Sequence, residues 1–299
     1  MTNIPTIATV PGVLHHTLAV DGGELHYVSA GTTGSPVLLV HGFPETWWTF
    51  HKVIPLLAAS HRVFAVDLRG FGESRATDGD YSSAASAEDL HRLIAHLDLG
   101  PVHITGQDIG GGAVFRLAAT HPGHVRSVTA IEMGLAGFGL EGLADVTHGG
   151  SWHIGVLAAE GIPDLLLAGR EREFLAGWAF PAMSAVPGAI AEPDLDEFAR
   201  AYSATDGWLG ASGLYRSMLA EGEELRALAG AAPLPMPVLA VGAGGGAFTA
   251  QTMAAVTAGP VRTAQLEGVG HYVAMEDPAG LAAVMTGFLL QVDADVDAP

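Results

Sequence analysis

Hydrophobic and polar positions alternate along residues 14–20 and 25–30, on either side of Asp21-Gly22-Gly23, a combination that predicts a β-hairpin. Further along, the rhythm changes. Short apolar runs at residues 37–40, 63–66, 102–105 and 127–131 each end at a special position: His41-Gly42, Asp67, Gly106 and Glu132. Between them, residues 87–97 and 113–119 have the spacing of helices. Apolar strands without alternation, separated by helices, predict an α/β chain whose mostly parallel sheet is covered on both faces. From about residue 137 to 230 the strand rhythm gives way to helical, Trp-bearing segments, such as residues 163–178 and 195–202. Strands resume at 238–241 and 263–266, and residues 278–290 predict a closing helix. The expected organisation is therefore a core of residues 1–136 and 231–299 with an inserted helical cap of residues 137–230. Such a cap would lie over the carboxyl edge of the sheet, where ligands bind in α/β folds.

Composition narrows the functions open to this chain. Of 299 residues, 49% are apolar and 15% charged, which supports a packed core and excludes general disorder. The formal charge is −19 and Lys52 is the sole lysine, so nucleic acid and anionic membrane surfaces are not expected partners. The absence of cysteine removes disulfides, thiolate nucleophiles, iron–sulfur clusters and cysteine–zinc sites. Residues 1–12 show no basic stretch followed by an apolar one, and a cytoplasmic protein is expected. Residues 227–261 carry no charge, but Pro233, Pro235, Pro237 and Gly244-Gly245-Gly246 would break a membrane helix.

Cofactor and metal signals are weak. Gly242-Ala243-Gly244-Gly245-Gly246-Ala247, with Glu267 after the next strand, fits a dinucleotide fingerprint in letters but does not open a βαβ unit at a domain's start. No H-E-x-x-H occurs, and His91 and His96, five apart, do not share a helix face. The spacing Asp293, Asp295, Asp297 imitates a calcium loop without its Gly and Glu, so a solvated tail is expected there. No cofactor and no metal are expected.

The central chemical signal is Gly106-Gln107-Asp108-Ile109-Gly110, between an apolar strand and an Ala/Gly-rich helix. That is the context of a nucleophile elbow, where small flanking residues let a sharp turn push one side chain into a site. An isolated Gly-x-Asp-x-Gly is more readily a helix-capping Asp. Three further motifs keep it company: His41-Gly42-Phe43-Pro44, Asp67-Leu68-Arg69-Gly70-Phe71-Gly72-Glu73-Ser74 and Gly268-Val269-Gly270-His271. In this order, over nearly the whole chain, the four motifs resemble the α/β-hydrolase fold. With Asp rather than Ser at the elbow, the chain resembles that superfamily's epoxide hydrolase and dehalogenase branch.

A carboxylate of ordinary pKa about 3.9 is ionised at neutral pH and needs no base before it attacks a strained or activated sp³ carbon. The ester so formed then needs a base and an oxyanion hole. His271 is the base the resemblance implies, with the backbone amides of Phe43 and Ile109 as oxyanion donors. The usual acid position after strand 238–241 holds only glycine and alanine. Glu132, at an alternative position used in part of this branch, takes the role of orienting acid. In the cap, His153 and Tyr215 match a His/Tyr ring-opening pair found in epoxide hydrolases similar to a secreted bacterial factor that inhibits a chloride channel, with Tyr202 as the rival tyrosine. Trp47, Trp48 and Trp152, with Phe43 and Phe248, are expected to line an apolar substrate pocket.

Dehalogenases of the branch place Trp, or a pair of Arg residues, where this chain has Ile109 and Gly112, and a halide-binding Trp where it has Ile154. The expectation is an epoxide hydrolase acting on a neutral apolar epoxide and giving a vicinal diol. A haloacid or haloalkane dehalogenase using the same Asp is the alternative, and a non-catalytic binding protein on this fold is the third reading. A homodimer is compatible with the sequence, and the effect of Gln107, where the branch often has His, is left open.

Overall fold

The hairpin forms from β1 (Leu14–Val20) and β2 (Gly23–Ala30), paired antiparallel from Leu14 opposite Ser29 to Val20 opposite Gly23. In this computed structural model, which describes residues 7–296, the strands that follow are β3 (Pro36–Val40), β4 (Arg62–Val66), the two-residue β5 (Arg75–Ala76), β6 (Val102–Gln107), β7 (Val125–Ile131), β8 (Val238–Gly242) and β9 (Val261–Gln265). They join one sheet in the order β1-β2-β4-β3-β6-β7-β8-β9, with β5 on the side of β2. From β4 to β9 the pairing is parallel. β3, β6 and β8 are buried along their whole length, which explains their unbroken apolar runs. β9 closes the edge with exposed Arg262, Thr263 and Gln265, polar groups that discourage pairing with a further strand.

The chain runs from β3 to β4 on one side, then crosses back so that β6 lies on the other side of β3. Such a reversal opens a crevice at the carboxyl ends of the two strands. The His41 loop leaves β3 there and Asp108 leaves β6. No strand occurs between Ile131 and Val238 among the described residues; that stretch contributes helices including Trp152–Ala158, Glu192–Tyr202 and Leu209–Ala220.

Several boundaries differ from the sequence pattern for visible reasons. The helix expected at 87–97 begins earlier, at Ser83–Leu97, because Ser82 caps it by accepting the amide of Ala85. The helix expected over 163–178 is broken into Ile162–Leu167 and a second helical stretch that starts at Glu171 and continues through Leu175–Ala179 to Met183, since Gly169 adopts φ +76° between them. The closing helix runs on to Val296. By length and composition it is apolar enough to cross a membrane, yet Leu281, Met285, Phe288, Leu289 and Val292 are buried against the core. Each such buried side chain contributes on the order of 1.5–3 kcal/mol. The solvated tail expected at Asp293 is corrected: its carboxylate accepts from Ser35 at 2.6 Å and Arg126 at 2.5 Å, with His103 at 3.1 Å. Asp297 lies outside the described residues.

Candidate active site

Asp108 and Glu132 are the first residues past β6 and β7, whose last residues, Gln107 and Ile131, are partners in the sheet. The register therefore sets the two carboxylates side by side at the carboxyl edge. Both adopt the left-handed region, with φ +48° and +46°. That conformation costs a non-glycine residue about 1–2 kcal/mol, a strain kept where a side chain must turn off a strand into a site. A side chain on Gly110 would put its Cβ 2.0 Å from the carbonyl of His41, and one on Gly42 would meet the Asp108 Cβ at 2.5 Å. The small residues flanking the elbow are required by this approach of two loops.

His271, from the loop after β9, bridges the acids. Its Nε2 lies 3.5 Å from Asp108 Oδ1 and its Nδ1 lies 3.5 Å from Glu132 Oε2. Burial alone would lower the imidazole pKa, but hydrogen bonding and charge from Asp108 and Glu132 outweigh it and raise the pKa to about 10. The two carboxylates therefore favour the protonated form of the ring. Asp108 shows the reciprocal effect. Burial opposes its charge, yet His271 and the amides of Phe43 and Ile109 hold its pKa below the ordinary carboxylate value. The Phe43 amide donates to Asp108 Oδ2 at 3.0 Å.

Glu132 is fixed by backbone donors. Oε1 accepts the amide of Ala243 at 2.6 Å and Oε2 that of Gly245 at 2.7 Å. The glycine-rich segment that imitates a dinucleotide fingerprint is thereby engaged as a cradle for a carboxylate. It carries no acid of its own because it receives the one from β7.

The cap brings His153 and Tyr215 together, with Nε2 of His153 3.1 Å from the Tyr215 hydroxyl. Nδ1 of His153 is 2.6 Å from Ser151 Oγ, a contact that sequence reasoning missed. Burial lowers the His153 pKa to about 4 and raises that of Tyr215 well above 10, so both are neutral at pH 7. In the tautomer with its proton on Nε2, His153 accepts from the Ser151 hydroxyl and donates to the Tyr215 oxygen, an arrangement that leaves the phenolic proton for a ligand. Phe43 backs the pair, stacked on His153 at 6.0 Å and edge-on to Tyr215 at 5.4 Å. The rival Tyr202 is buried with its hydroxyl unpartnered, packed on Trp208 and edge-on to Phe43, and is not among the residues that line the cavity.

A cavity of about 200 Å³ joins these groups, walled by Ile109, Ile154, Met183, Met218 and Phe248 beside Asp108, His271, His153 and Tyr215. The three tryptophans expected to line it do not. Trp47 is fully buried beneath the loop, edge-on to Trp48 and His15, with its backbone amide on Asp67. Trp48 donates its indole N–H to Asp194 at 3.0 Å and stacks on His51, tying the core loop to the cap. Trp152 faces outward, 44% exposed, against Trp178. It stands one residue before His153 on the same helix, about 100° round the axis, so a helix that aims His153 inward aims Trp152 away.

Glu45, directly after His41-Gly42-Phe43-Pro44, was also missed. Burial pushes its pKa up to about 7. It accepts from Thr49 at 2.5 Å and from Gln107 at 2.6 Å, so Gln107 braces the loop after β3 from the residue before Asp108. His41 holds the same loop: its Nε2 accepts the Leu68 amide at 3.0 Å, leaving Nδ1–H to donate to the Gly42 carbonyl at 2.8 Å. Away from the site, Glu88, His91 and His121 bring possible ligand atoms within 4.8 Å of one another. The two imidazoles are stacked 3.7 Å apart and only 13° from parallel, so one ion cannot lie in both ring planes in this arrangement.

The sequence of residues 35–150 matches the family described as alpha/beta hydrolase fold. A solved structure, Cfl2 from Burkholderia cenocepacia, is 30% identical, covers 95% of this chain and 99% of its own, and superposes with a TM-score of 0.86. The chain belongs to the α/β-hydrolase family. The turn at residues 106–110, between β6 and the helix Gly111–Thr120, has the strand–turn–helix form of that family's elbow, with Asp108 at the position where Ser is usual. Among other relatives, the soluble epoxide hydrolase of Corynebacterium sp. strain C12 is 35% identical over 121 residues, 40% of this chain and 42% of that enzyme. The aligned part is thus under half of that relative's length. The Cif epoxide hydrolase of Acinetobacter nosocomialis is 25% identical, covering 94% of this chain and 90% of its own with a TM-score of 0.83.

Proposed function

We propose that the protein is an epoxide hydrolase that converts a neutral, largely apolar epoxide and water to a vicinal diol through an ester on Asp108. The observation that carries this reading is the His153–Tyr215 pair opening on the same apolar cavity as Asp108 and His271. A nucleophile alone would serve a dehalogenase equally, whereas a neutral Tyr–His donor pair answers the need of a ring oxygen that acquires charge. The epoxide hydrolases among the relatives agree with it. Ile109, Gly112 and Ile154 offer no side-chain donor to a halide or a carboxylate.

In the first step Asp108 attacks a ring carbon, the carbon–oxygen bond breaks, and its electron pair goes to the oxygen facing Tyr215. Ester formation removes the charge that held the proton on His271. The imidazolium pKa then falls, and the proton that His271 releases is taken up by the ring-derived alkoxide, directly or through the Tyr215 hydroxyl, so that neutral His271 is the base for the second step. Water attacks the ester carbonyl while His271 takes its proton, and the oxyanion forms where Asp108 Oδ2 already meets the Phe43 amide. Collapse breaks the ester carbon–oxygen bond, the departing diol oxygen takes the proton of the added hydroxyl, and Asp108 is left as a carboxylate with one oxygen from water and His271 as the imidazolium.

The test is single turnover in oxygen-18 water with a panel of aryl and alkyl epoxides beside haloacids. Label should enter Asp108 before it enters diol, with little halide released. Label in the first-turnover diol excludes the ester, and brisk halide release without epoxide turnover overturns the substrate class.

A further inference from the structure

Glu276 lies at the end of the short helix Val273–Glu276, outside the acid–histidine–acid set, and is buried. Its carboxylate accepts four backbone amides from two separate segments. Gly270 at 3.0 Å and Tyr272 at 3.1 Å flank His271, while Ala185 at 2.7 Å and Val186 at 2.8 Å belong to the cap segment that follows Met183. The amide of His271 itself donates to the Met183 carbonyl at 2.8 Å, and the Tyr272 hydroxyl donates to the Ala179 carbonyl at 2.9 Å. Gly270 is pressed against this joint: a Cβ there would lie 2.5 Å from the Ala185 nitrogen and from the Met183 oxygen. The His271 loop is therefore hung from the cap, and Glu276 is the knot.

We infer that Glu276 is a positioning residue that couples the cap to the base, setting the rate of ester hydrolysis by holding His271 in register with Asp108 and Glu132. The inference rests on the proposed two-step reaction. Four donors satisfy one buried carboxylate, and an amide in its place would turn an N–H toward them. Alkylation, carried by Asp108 and the Tyr215 donor, does not require His271 in exact register; hydrolysis does.

The experiment compares native protein with Glu276→Gln and Glu276→Asp, following both half-reactions by rapid quench and intact-protein mass spectrometry. Expected for Glu276→Gln is alkylation within about threefold of native and hydrolysis slower by roughly tenfold to a hundredfold, the scale of a misplaced group. The adduct should accumulate on Asp108, and Glu276→Asp should restore part of the rate. Equal loss in both steps, or no loss in either, overturns the inference. His271 is also followed in substrate-free protein by NMR titration of its ring, together with hydrogen exchange at residues 270–272. Glu276→Gln should shift that titration and speed that exchange while melting remains cooperative. If native protein turns over no epoxide, the functional reading has failed, and the ring titration still decides the positioning role: an unchanged titration and exchange overturns it, as does a variant whose only change is a lower melting temperature matched by Glu276→Asp.

Discussion

The two halves of the cavity are anchored by different means. On the core side Asp108 is fixed by the Phe43 amide and Glu132 by two amides of the glycine-rich segment, all backbone donors placed by strand ends. On the cap side His153 and Tyr215 are held by one another, by Ser151 and by the ring of Phe43, contacts among side chains on helices and a loop. Backbone donors cannot rotate away, so the core half is pre-organised for charge. The cap half is built of rotatable neutral donors that complete the site. The core half should therefore carry the bond-making chemistry, and the cap half should tune one step of it.

The largest effect should come from Asp108→Asn. Asn tolerates the left-handed backbone at this position, so the fold should persist while kcat/KM for epoxides falls on the order of 10⁴-fold or more, with no adduct by mass spectrometry. A cap variant as inactive as this one would break the comparison. His271→Gln comes next. It should leave alkylation nearly intact and slow hydrolysis on the order of 10³-fold, so that adduct persists on Asp108; full turnover would remove His271 from the second step.

Smaller again is the effect expected in the cap. Tyr215→Phe keeps the ring packed on Phe43 and deletes the phenolic donor, so alkylation should slow about tenfold to a hundredfold while hydrolysis of the ester is unchanged. Rapid quench with intact-protein mass spectrometry of the Asp108 adduct measures the first step alone. If hydrolysis fell instead, Tyr215 would belong with the core half.

The same division governs what could be read from sequence. Asp108, His271 and the Phe43 loop each leave a strand at a small-residue turn, and those turns stand out against apolar runs. Glu132 could be assigned because the segment after β8 has no acid; why it has none became clear only when Ala243 and Gly245 were found donating to Glu132. The cap offers no such punctuation. His153 and Tyr215 could be picked by resemblance, but helix phase decides which aromatic turns inward, and it turned Trp152 out. Trp47 and Trp48 sit in the right loop and point into the core and to Asp194, directions set by tertiary packing that composition does not encode. Glu45 reaches Gln107 and Glu276 reaches Ala185 and Val186, distant in sequence, so their signal lies in contacts rather than in spacing; Ser151, two residues before His153, belongs to no motif that marks it.

The smallest effect is on stability, and it separates the halves by sign. His271 has a folded pKa of about 10 against an ordinary 6.5. Its stabilisation is fully present below about pH 6.5 and is lost as pH rises through about 10. His153 is the opposite case, with a folded pKa of about 4 against 6.5. The unfolded chain binds that proton first, so stability contributed by neutral His153 is present above about pH 6.5 and is lost as pH falls through about 4. Thermal melting across this range should therefore lose part of its alkaline slope in His271→Gln and part of its acid slope in His153→Phe, each variant leaving the other slope in place. Parallel curves for native and His271→Gln between pH 6.5 and 10 would mean that the imidazolium is not held by the two carboxylates, and the contrast between a charged core half and a neutral cap half would be lost with it.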